Sequence, residues 1–246
     1  MDTLKICYLY PDVLNLFSDS GNITCIKKRL EWRGMKADIT EIPTNEKLNV
    51  SDYDLFFIGG GQDFEHGIHI ADFMGEKANE IKKAVEDEKV FLAICTGYQL
   101  LGNYYKAADG TQYDMSGAVN FHTIGTKDRF IGNCCFESEE LGNLKIVGFE
   151  NHAGKTYLSD GVRPLGKVLK GNGNNGEDLT EGARYKNVFA SYAHGSLLPK
   201  NPQLADQIIK TALARKYNKE FELSPLDDTF ELNANKYMVE RLLKDN

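Results

Sequence analysis

The feature that most constrains the fold is the alternation of short apolar runs with segments of helical spacing in the first hundred residues. The apolar runs are residues 4–10, 37–42, 55–58 and 90–94, and the helical segments are 23–32 and 77–87, the first of them after a polar turn at 18–22. Strand–helix–strand alternation produces right-handed crossovers and a parallel sheet covered by helices on both faces. We therefore expect an α/β fold, with a mostly parallel sheet flanked by helices.

The pattern changes after residue 105. Short apolar runs separated by Gly, Asn and Asp predict hairpins and mixed strands at residues 118–124, 130–136, 145–149, 166–170 and 188–193. A helix is predicted at 202–217, and a polar acidic stretch then precedes a last helix at 232–244. These two helices predict a short C-terminal helical extension on a single α/β domain.

Composition excludes several classes of function. The 246 residues are enough to bury a core without disulfides or a structural metal. The net charge of −7, without a basic stripe, argues against a nucleic-acid partner. The five cysteines are odd in number and form no C-x-x-C pair, which argues against a disulfide framework and a zinc site. Adjacent Cys134 and Cys135 are predicted to pack on opposite faces of one strand.

Targeting signals were sought at the start of the chain and in its apolar runs. Residues 1–10 lack the basic and long apolar segments of a secretory signal. The longest apolar runs are far shorter than the ~20 residues of a membrane span. We expect a cytoplasmic protein with no membrane insertion.

One cysteine has the local sequence of a nucleophile. Cys95 follows an apolar strand and precedes a predicted helix at 97–105, and Ala93 and Gly97 supply the small neighbours that a sharp turn needs. Such a turn places the sulfur at the carboxyl edge of the sheet, where α/β active sites lie. The start of the helix favours the thiolate, and the N–H of Thr96 would face the carbonyl oxygen under attack. The alternative is a cysteine buried in the core, as is common.

A thiolate nucleophile also needs a second oxyanion donor and a base. Gly59, Gly60 and Gly61 end the 55–58 strand, so their backbone can approach a ligand closely, and the N–H of Gly60 or Gly61 is the expected donor. The alternative is a plain strand-ending turn. The candidate bases are His66, His69, His122, His152 and His194. We favour His194, because it ends an apolar strand and can meet Cys95 at the same sheet edge.

These segments resemble the class I (triad-type) glutamine amidotransferases, in particular the CobB/CobQ-like branch. The family pattern G-x-C-x-G-x-Q is met around Cys95, with Ala93 replacing the first glycine and with Gln99 in the last position. The three glycines match the family's oxyanion loop, and His194 matches its histidine. A narrower resemblance, to the glutaminase subunits of lipid II isoglutaminyl synthases, covers nearly the whole chain. It rests on the stretches 14–22, 57–63, 129–133, 148–154 and 194–201.

The resemblance implies an enzyme that hydrolyses L-glutamine to glutamate and ammonia. Cys95 would attack the side-chain amide, and His194 would activate the thiol and protonate the leaving ammonia. Arg129 would hold the α-carboxylate of glutamine, and Gln99 would line the pocket. The alternative for Arg129 is a surface arginine opposite Asp128.

The chain departs from many class I members at one position. They carry a glutamate two residues past the histidine, which orients the imidazole, whereas Ser196 stands there in this chain. The sequence does not identify another group for that role. By resemblance, the amidotransferase domain spans residues 4–205, and the extension spans 206–246 and packs on the core or docks a partner.

The resemblance also implies a heterodimer. The partner is a MurT-like Mur-ligase subunit, which uses the ammonia to amidate D-glutamate in the lipid II stem peptide during peptidoglycan synthesis and cell wall biogenesis. This chain contains no P-loop and no H-E-x-x-H motif, so we expect no cofactor or metal in it, with ATP and Mg only in the partner.

Three other interpretations were weighed. The segment 171–176 satisfies G-x-G-x-x-G, but no βαβ unit surrounds it, so we predict a loop without a dinucleotide. A different cysteine hydrolase of the same architecture, such as a γ-glutamyl hydrolase or a DJ-1-like enzyme, is one alternative function. A non-catalytic scaffold subunit is the other.

Overall fold

The computed structural model describes residues 2–61 and 71–244 of the chain. Its strands are β1 Thr3–Leu9, β2 Lys36–Ile42, β3 Leu55–Ile58, β4 Val90–Ile94, β5 Tyr104–Lys106, β6 Gln112–Asp114, β7 Phe121–Ser138, β8 Leu144–Leu158, β9 Gly166–Lys170, β10 Thr180–Glu181, β11 Ala183–Tyr185, β12 Val188–Ser191 and β13 Ala193–His194. Its helices are α1 Ser20–Glu31, α2 Ala78–Glu86, α3 Thr96–Leu100, α4 Pro202–Tyr217 and α5 Thr229–Lys244. None of the described helices is long and apolar enough to cross a membrane.

The first sheet is the parallel one that the sequence predicts. Its strand order is β11-β12-β4-β3-β1-β2, and only the edge strand β11 runs antiparallel to its neighbour. Every residue of β3 and β4 is buried, as expected for apolar strands in the middle of a sheet that is covered on both faces. The carboxyl ends of β3, β4 and β12 are therefore neighbours at one edge.

The second sheet is built on a long antiparallel hairpin of β7 and β8. The sequence predicts two separate strands at 118–124 and 130–136, but the structure has one strand, β7, of 18 residues. Its pairing with β8 shifts register between Gly125 and Phe130. β12 ends in the first sheet at Ser191, and two residues later Ala193 pairs with Glu150 of the second sheet. The chain thus changes sheets just before His194.

The helix predicted at 97–105 is too long. The observed α3 ends at Leu100, and Tyr104–Lys106 forms strand β5 instead. Just after the helix, Gly102 packs against β7: an added Cβ there would lie 2.5 Å from the Phe121 ring. The next N–H, that of Asn103, donates to the carbonyl of Phe121. Tertiary pairing with β7 therefore overrides the helical pattern.

Two smaller expectations are confirmed. Cys134 packs in the main core, whereas Cys135 packs with Val147 and Leu242 in a second cluster, so the two side chains point to opposite faces. The glycine-rich segment 171–176 forms a loop between β9 and β10, with Asn174 and Asn175 buried inside it. It precedes a strand rather than a helix.

An arginine cluster fastens the C-terminal segment to the core. Arg29 of α1 is 3% exposed, and its guanidinium donates to the carboxylates of both Asp206 and Asp228 at 2.6–2.8 Å. Arg33 also donates to Asp206. Helix α4 runs through the expected boundary between residues 205 and 206, and that division of the chain stays a prediction.

We expect Arg29→Met to lower the free energy of unfolding by about 3 kcal/mol, because it leaves the partly buried carboxylates of Asp206 and Asp228 facing each other. Urea denaturation with linear extrapolation measures this change. The control is Lys28→Met on the same helix, whose side chain is 52% exposed and pairs with Glu31, and which should cost less than about 0.5 kcal/mol. Equal effects of the two variants would contradict the assignment.

Candidate active site

Cys95 lies on a sharp turn between β4 and α3, as the sequence predicts. Its φ of +50° and ψ of −105° are strained for a residue with a side chain, and it is only 6% exposed. The N–H of Cys95 donates to the carbonyl of Ser191 at 2.9 Å. Gly97 lies so close to β3 that an added Cβ would be 2.4 Å from the oxygen of Ile58. The small residue after the cysteine is thus required by packing.

His194 is fully buried in β13, and the Cys95 side chain lies beside its imidazole and interacts with it electrostatically. Burial disfavours the imidazolium, but the Cys95 sulfur and the Asp19 carboxylate favour it more strongly and raise the pKa of His194. The cation is therefore kept at neutral pH beside the sulfur. This arrangement suits a thiolate–imidazolium pair.

Asp19 is an acidic residue of the site that the sequence analysis missed. It is fully buried, and its Oδ2 lies 3.4 Å from Nδ1 of His194. Asp19 occupies the N-cap position of α1, yet its side chain makes no capping hydrogen bond and points to the site instead. An aspartate before a helix ordinarily indicates a cap, and α1 begins inside the turn predicted at 18–22. The sequence analysis placed residue 19 in that polar turn, and nothing in the turn's pattern indicates proximity to His194.

The glycines after β3 pack directly against the Cys95–His194 pair. An added Cβ on Gly60 would lie 2.5 Å from Cε1 of His194 and 3.2 Å from Cβ of Cys95. The N–H of Gly60 donates to Oδ2 of Asp19 at 2.7 Å, and the N–H of Gly61 donates to Oγ1 of Thr96 at 3.1 Å. The N–H groups of both glycines, the candidates for the second oxyanion donor beside Thr96, are thus bound to side chains in this structure.

Gln99 belongs to a buried chain of polar groups one helical turn beyond Cys95. Its Nε2 donates to the hydroxyl of Tyr192 at 3.0 Å, and that hydroxyl lies 2.7 Å from Oγ1 of Thr156. An added Cβ on Gly154 would lie 2.5 Å from Nε2 of Gln99 and 2.8 Å from Cγ2 of Thr123, so a larger residue there would displace these side chains. Tyr192 is a further residue that sequence reasoning missed, because nothing in its local pattern distinguishes it from an ordinary core tyrosine.

Arg129 lies on the exposed part of β7, outside the buried cluster around Cys95. It donates to Oδ1 of Asn151 at 2.8 Å. The next residue, Phe130, meets the His152 ring edge-on, and His152 stacks on Tyr192 with ring centres 3.7 Å apart. A continuous series of rings therefore connects the arginine with the tyrosine that contacts Gln99.

The other candidate histidines have different surroundings. His122 stacks between Tyr104 and Tyr157 in the second sheet, and burial lowers its pKa. His66 and His69 lie outside the described residues, as do Gln62 and Asp63 of the 57–63 stretch. Within the described residues, no group of three or more His, Cys, Asp or Glu side chains could hold a metal ion.

Comparison with known proteins decides the family. A profile of the CobB/CobQ-like glutamine amidotransferase domain matches residues 5–202. The chain belongs to this family. Among relatives of this CobB/CobQ-like protein is the GatD subunit of lipid II isoglutaminyl synthase (glutamine-hydrolyzing) from Streptococcus pneumoniae, with 41% identity over 92% of this chain and 86% of that protein. The GatD subunit from Staphylococcus aureus is 39% identical over 98% of this chain and 97% of that protein.

Two solved structures share the fold of this amidotransferase-family chain. A PurLQS structure from Thermotoga maritima has a TM-score of 0.55 at 20% identity, covering 89% of this chain and all of that chain. A glutamine amidotransferase from the same organism has a TM-score of 0.51 at 15% identity, covering 98% of both chains. The expected fold class, with its parallel sheet and C-terminal helix, is therefore confirmed.

We expect iodoacetamide at pH 7 to modify Cys95 before any other cysteine, because His194 lies beside its sulfur and can take up the thiol proton. Burial raises the pKa of each of the other thiols, Cys7, Cys25, Cys134 and Cys135. Peptide mass spectrometry would follow the labelling, and His194→Ala should slow it at least about tenfold. Equal labelling of Cys25 and Cys95 would show that His194 does not activate Cys95.

Proposed function

We propose that this chain is the glutamine-hydrolysing subunit of a lipid II isoglutaminyl synthase. The observation that carries the proposal is the buried Cys95–His194 pair at the carboxyl edge of the parallel sheet. It occurs in a chain that is 41% and 39% identical to two GatD subunits over nearly its whole length.

The proposed reaction begins when the Cys95 thiolate attacks the side-chain amide carbon of L-glutamine. His194 then gives its proton to the leaving nitrogen, ammonia departs, and a thioester remains on Cys95. In the second half, His194 takes a proton from water as the water attacks the thioester. Glutamate leaves, and the proton returns to the pair.

Asp19 is proposed to orient His194 in place of the glutamate that is absent at position 196. With Nδ1 facing Oδ2 of Asp19, Nε2 is the nitrogen directed to the sulfur. The separation of 3.4 Å between Nδ1 and Oδ2 is longer than the usual N–H···O hydrogen bond. The N–H of Gly60 fixes the carboxylate in turn.

The developing oxyanion is proposed to bind the N–H of Thr96 together with the N–H of Gly60 or Gly61. For a glycine to serve, the side chain that now accepts its N–H must release it: Asp19 for Gly60, or Thr96 for Gly61. Arg129 is proposed to bind the α-carboxylate of glutamine, and Gln99 to form part of the pocket wall.

The partner is proposed to be a MurT-like Mur-ligase subunit. The two relatives are named as subunits of a synthase, and joining ammonia to a carboxylate requires activation of the carboxylate. In the proposed heterodimer, the ligase holds ATP and Mg and amidates D-glutamate of the lipid II stem peptide. This chain supplies the ammonia and uses no cofactor of its own.

The test is glutamate release from L-glutamine by the purified chain, with and without the Mur-ligase subunit. We expect the subunit to stimulate release, and Cys95→Ala and His194→Ala each to lower it by at least about 10³-fold. The control is His122→Ala, which alters a histidine of the second sheet and should retain activity.

Unchanged release by Cys95→Ala would eliminate this mechanism. No release by the wild-type pair would favour the scaffold subunit or another cysteine hydrolase. Cleavage of γ-glutamyl peptides by the same samples would then separate those two.

Asp19→Asn should lower kcat about 10²- to 10⁴-fold with little change in KM, because the amide cannot stabilise the imidazolium. The Asp19 carboxylate helps raise the pKa of His194, so its loss should lower that pKa and move the alkaline limb of the kcat profile to lower pH. The control is Asp12→Asn, an exposed carboxylate that binds Thr44. An unshifted profile would assign the orienting role elsewhere.

A further inference from the structure

A second buried carboxyl lies behind the Cys95–His194 pair. Glu181 ends strand β10 and is 2% exposed. Its Oε1 accepts the N–H of Tyr192 at 2.8 Å and the hydroxyl of Ser191 at 3.1 Å. The hydroxyl oxygen of Ser191 in turn accepts the N–H of Ala193 at 2.9 Å.

These contacts occur where the chain changes sheets. Ser191 is the last residue of β12 in the first sheet, and Ala193 is the first residue of β13 in the second. A backbone that leaves one ladder for another must find other partners for its buried N–H groups. Glu181 binds the N–H of Tyr192 directly and that of Ala193 through the Ser191 hydroxyl.

The same short segment carries both reacting side chains. The carbonyl of Ser191 accepts the N–H of Cys95 at 2.9 Å, and His194 follows Ala193 directly. The geometry of the pair therefore depends on how residues 191–193 are held. Glu181 contacts this segment and not the reacting atoms.

We propose that Glu181 is a positioning residue for glutamine hydrolysis, which holds Cys95 and His194 in register through Ser191 and Tyr192. The inference rests on the proposed function and adds to it a residue outside the reacting group. A shift of about 1 Å between reacting groups can cost about 10²-fold in rate, so the support of this segment matters for catalysis.

The protonation of Glu181 allows its proposed positioning role to be tested through the pH dependence of activity. Burial raises its pKa to about 8, the hydrogen bonds from Tyr192 and Ser191 oppose that rise, and the charge of Glu150 adds to it. The titratable groups that interact with it are Glu150 on β8, Cys134 on β7 and Tyr98 on α3. At neutral pH the carboxyl of Glu181 is therefore protonated. Above about pH 8 it ionises, which places a buried negative charge beside Ser191 and Tyr192.

The sign of the linkage follows from the two pKa values. An unfolded glutamate ionises near its model value of 4.5, whereas the folded one keeps its proton until about pH 8. The wild type therefore loses stability as pH rises between these values, relative to a variant with a neutral side chain.

The experiment compares Glu181→Gln with Glu181→Leu in glutamine hydrolysis by the chain with its Mur-ligase subunit from pH 6 to 10. Glu181→Leu removes the acceptor and should lower kcat about 10- to 100-fold, with KM changed less than about threefold. Glu181→Gln keeps the acceptor and should retain kcat at pH 7 within about threefold, and its activity should persist further above pH 8 than that of the wild type.

Thermal unfolding supplies a second measurement. The Tm of Glu181→Gln relative to wild type should increase from pH 5 to pH 8 and level off above it. The control is Glu177→Gln, a glutamate that pairs with Lys155 at 2.8 Å and does not contact the 191–193 segment. It should leave the pH dependence of kcat unchanged.

If Glu181→Leu does not fold, Ser191→Ala replaces it. That variant keeps the contact between Glu181 and Tyr192 but removes the bridge to Ala193, and it should lower kcat about tenfold. Full activity of the folded Leu or Ala variant, or identical pH profiles of Glu181→Gln and wild type, would overturn the proposal. A wild type that does not hydrolyse glutamine, or an active Cys95→Ala, would instead overturn the proposed function.

Discussion

The site depends on the two-residue step by which the chain passes from one sheet to the other. Ser191 is still part of the parallel sheet, where its carbonyl holds the N–H of Cys95, and Ala193 already pairs with Glu150 in the second sheet. Because His194 comes next, its imidazole belongs to the second sheet, whereas the Cys95 sulfur follows strand β4 of the first sheet. Neither sheet alone carries both groups, so the packing of the two sheets sets the distance between the Cys95 sulfur and the His194 imidazole.

Burial of this junction makes its electrostatics strong. Charges that leave water interact far more strongly with one another, and each buried polar group needs a partner. At the site, His194 is held between the Cys95 sulfur and the Asp19 carboxylate, and Gly60 binds the same carboxylate oxygen. The site is compact, since the carboxylate oxygen of Asp19 that faces His194 also accepts the N–H of Gly60. The absence of a side chain at Gly60 is what allows these groups to approach.

The C-terminal segment is joined to the same framework. Arg29 lies on α1, the helix that Asp19 precedes, and its guanidinium bridges Asp206 on α4 and Asp228 just before α5. The two carboxylates are balanced by two guanidinium groups, because Arg33 also binds Asp206, and removing one member of such a cluster leaves buried charge unbalanced. The helices that follow the parallel sheet are therefore fixed to the helix whose first turn forms part of the site.

Much of this molecule is determined by the sequence alone. The parallel sheet follows from apolar runs that alternate with helical segments, and the turn at Cys95 follows from Ala93 and Gly97, because these are local properties of the chain.

The placement of His194 was inferred from its position at a strand end. Asp19 was not, since the sequence shows it only as one polar residue of the turn at 18–22. The early end of α3 at Leu100 was also missed, because Phe121, twenty-one residues later, decides it. Glu181 and Tyr192 acquire their roles only where two sheets meet. Contacts between residues distant in sequence have no local signal, and so only the tertiary structure decided which side chains surround the cysteine.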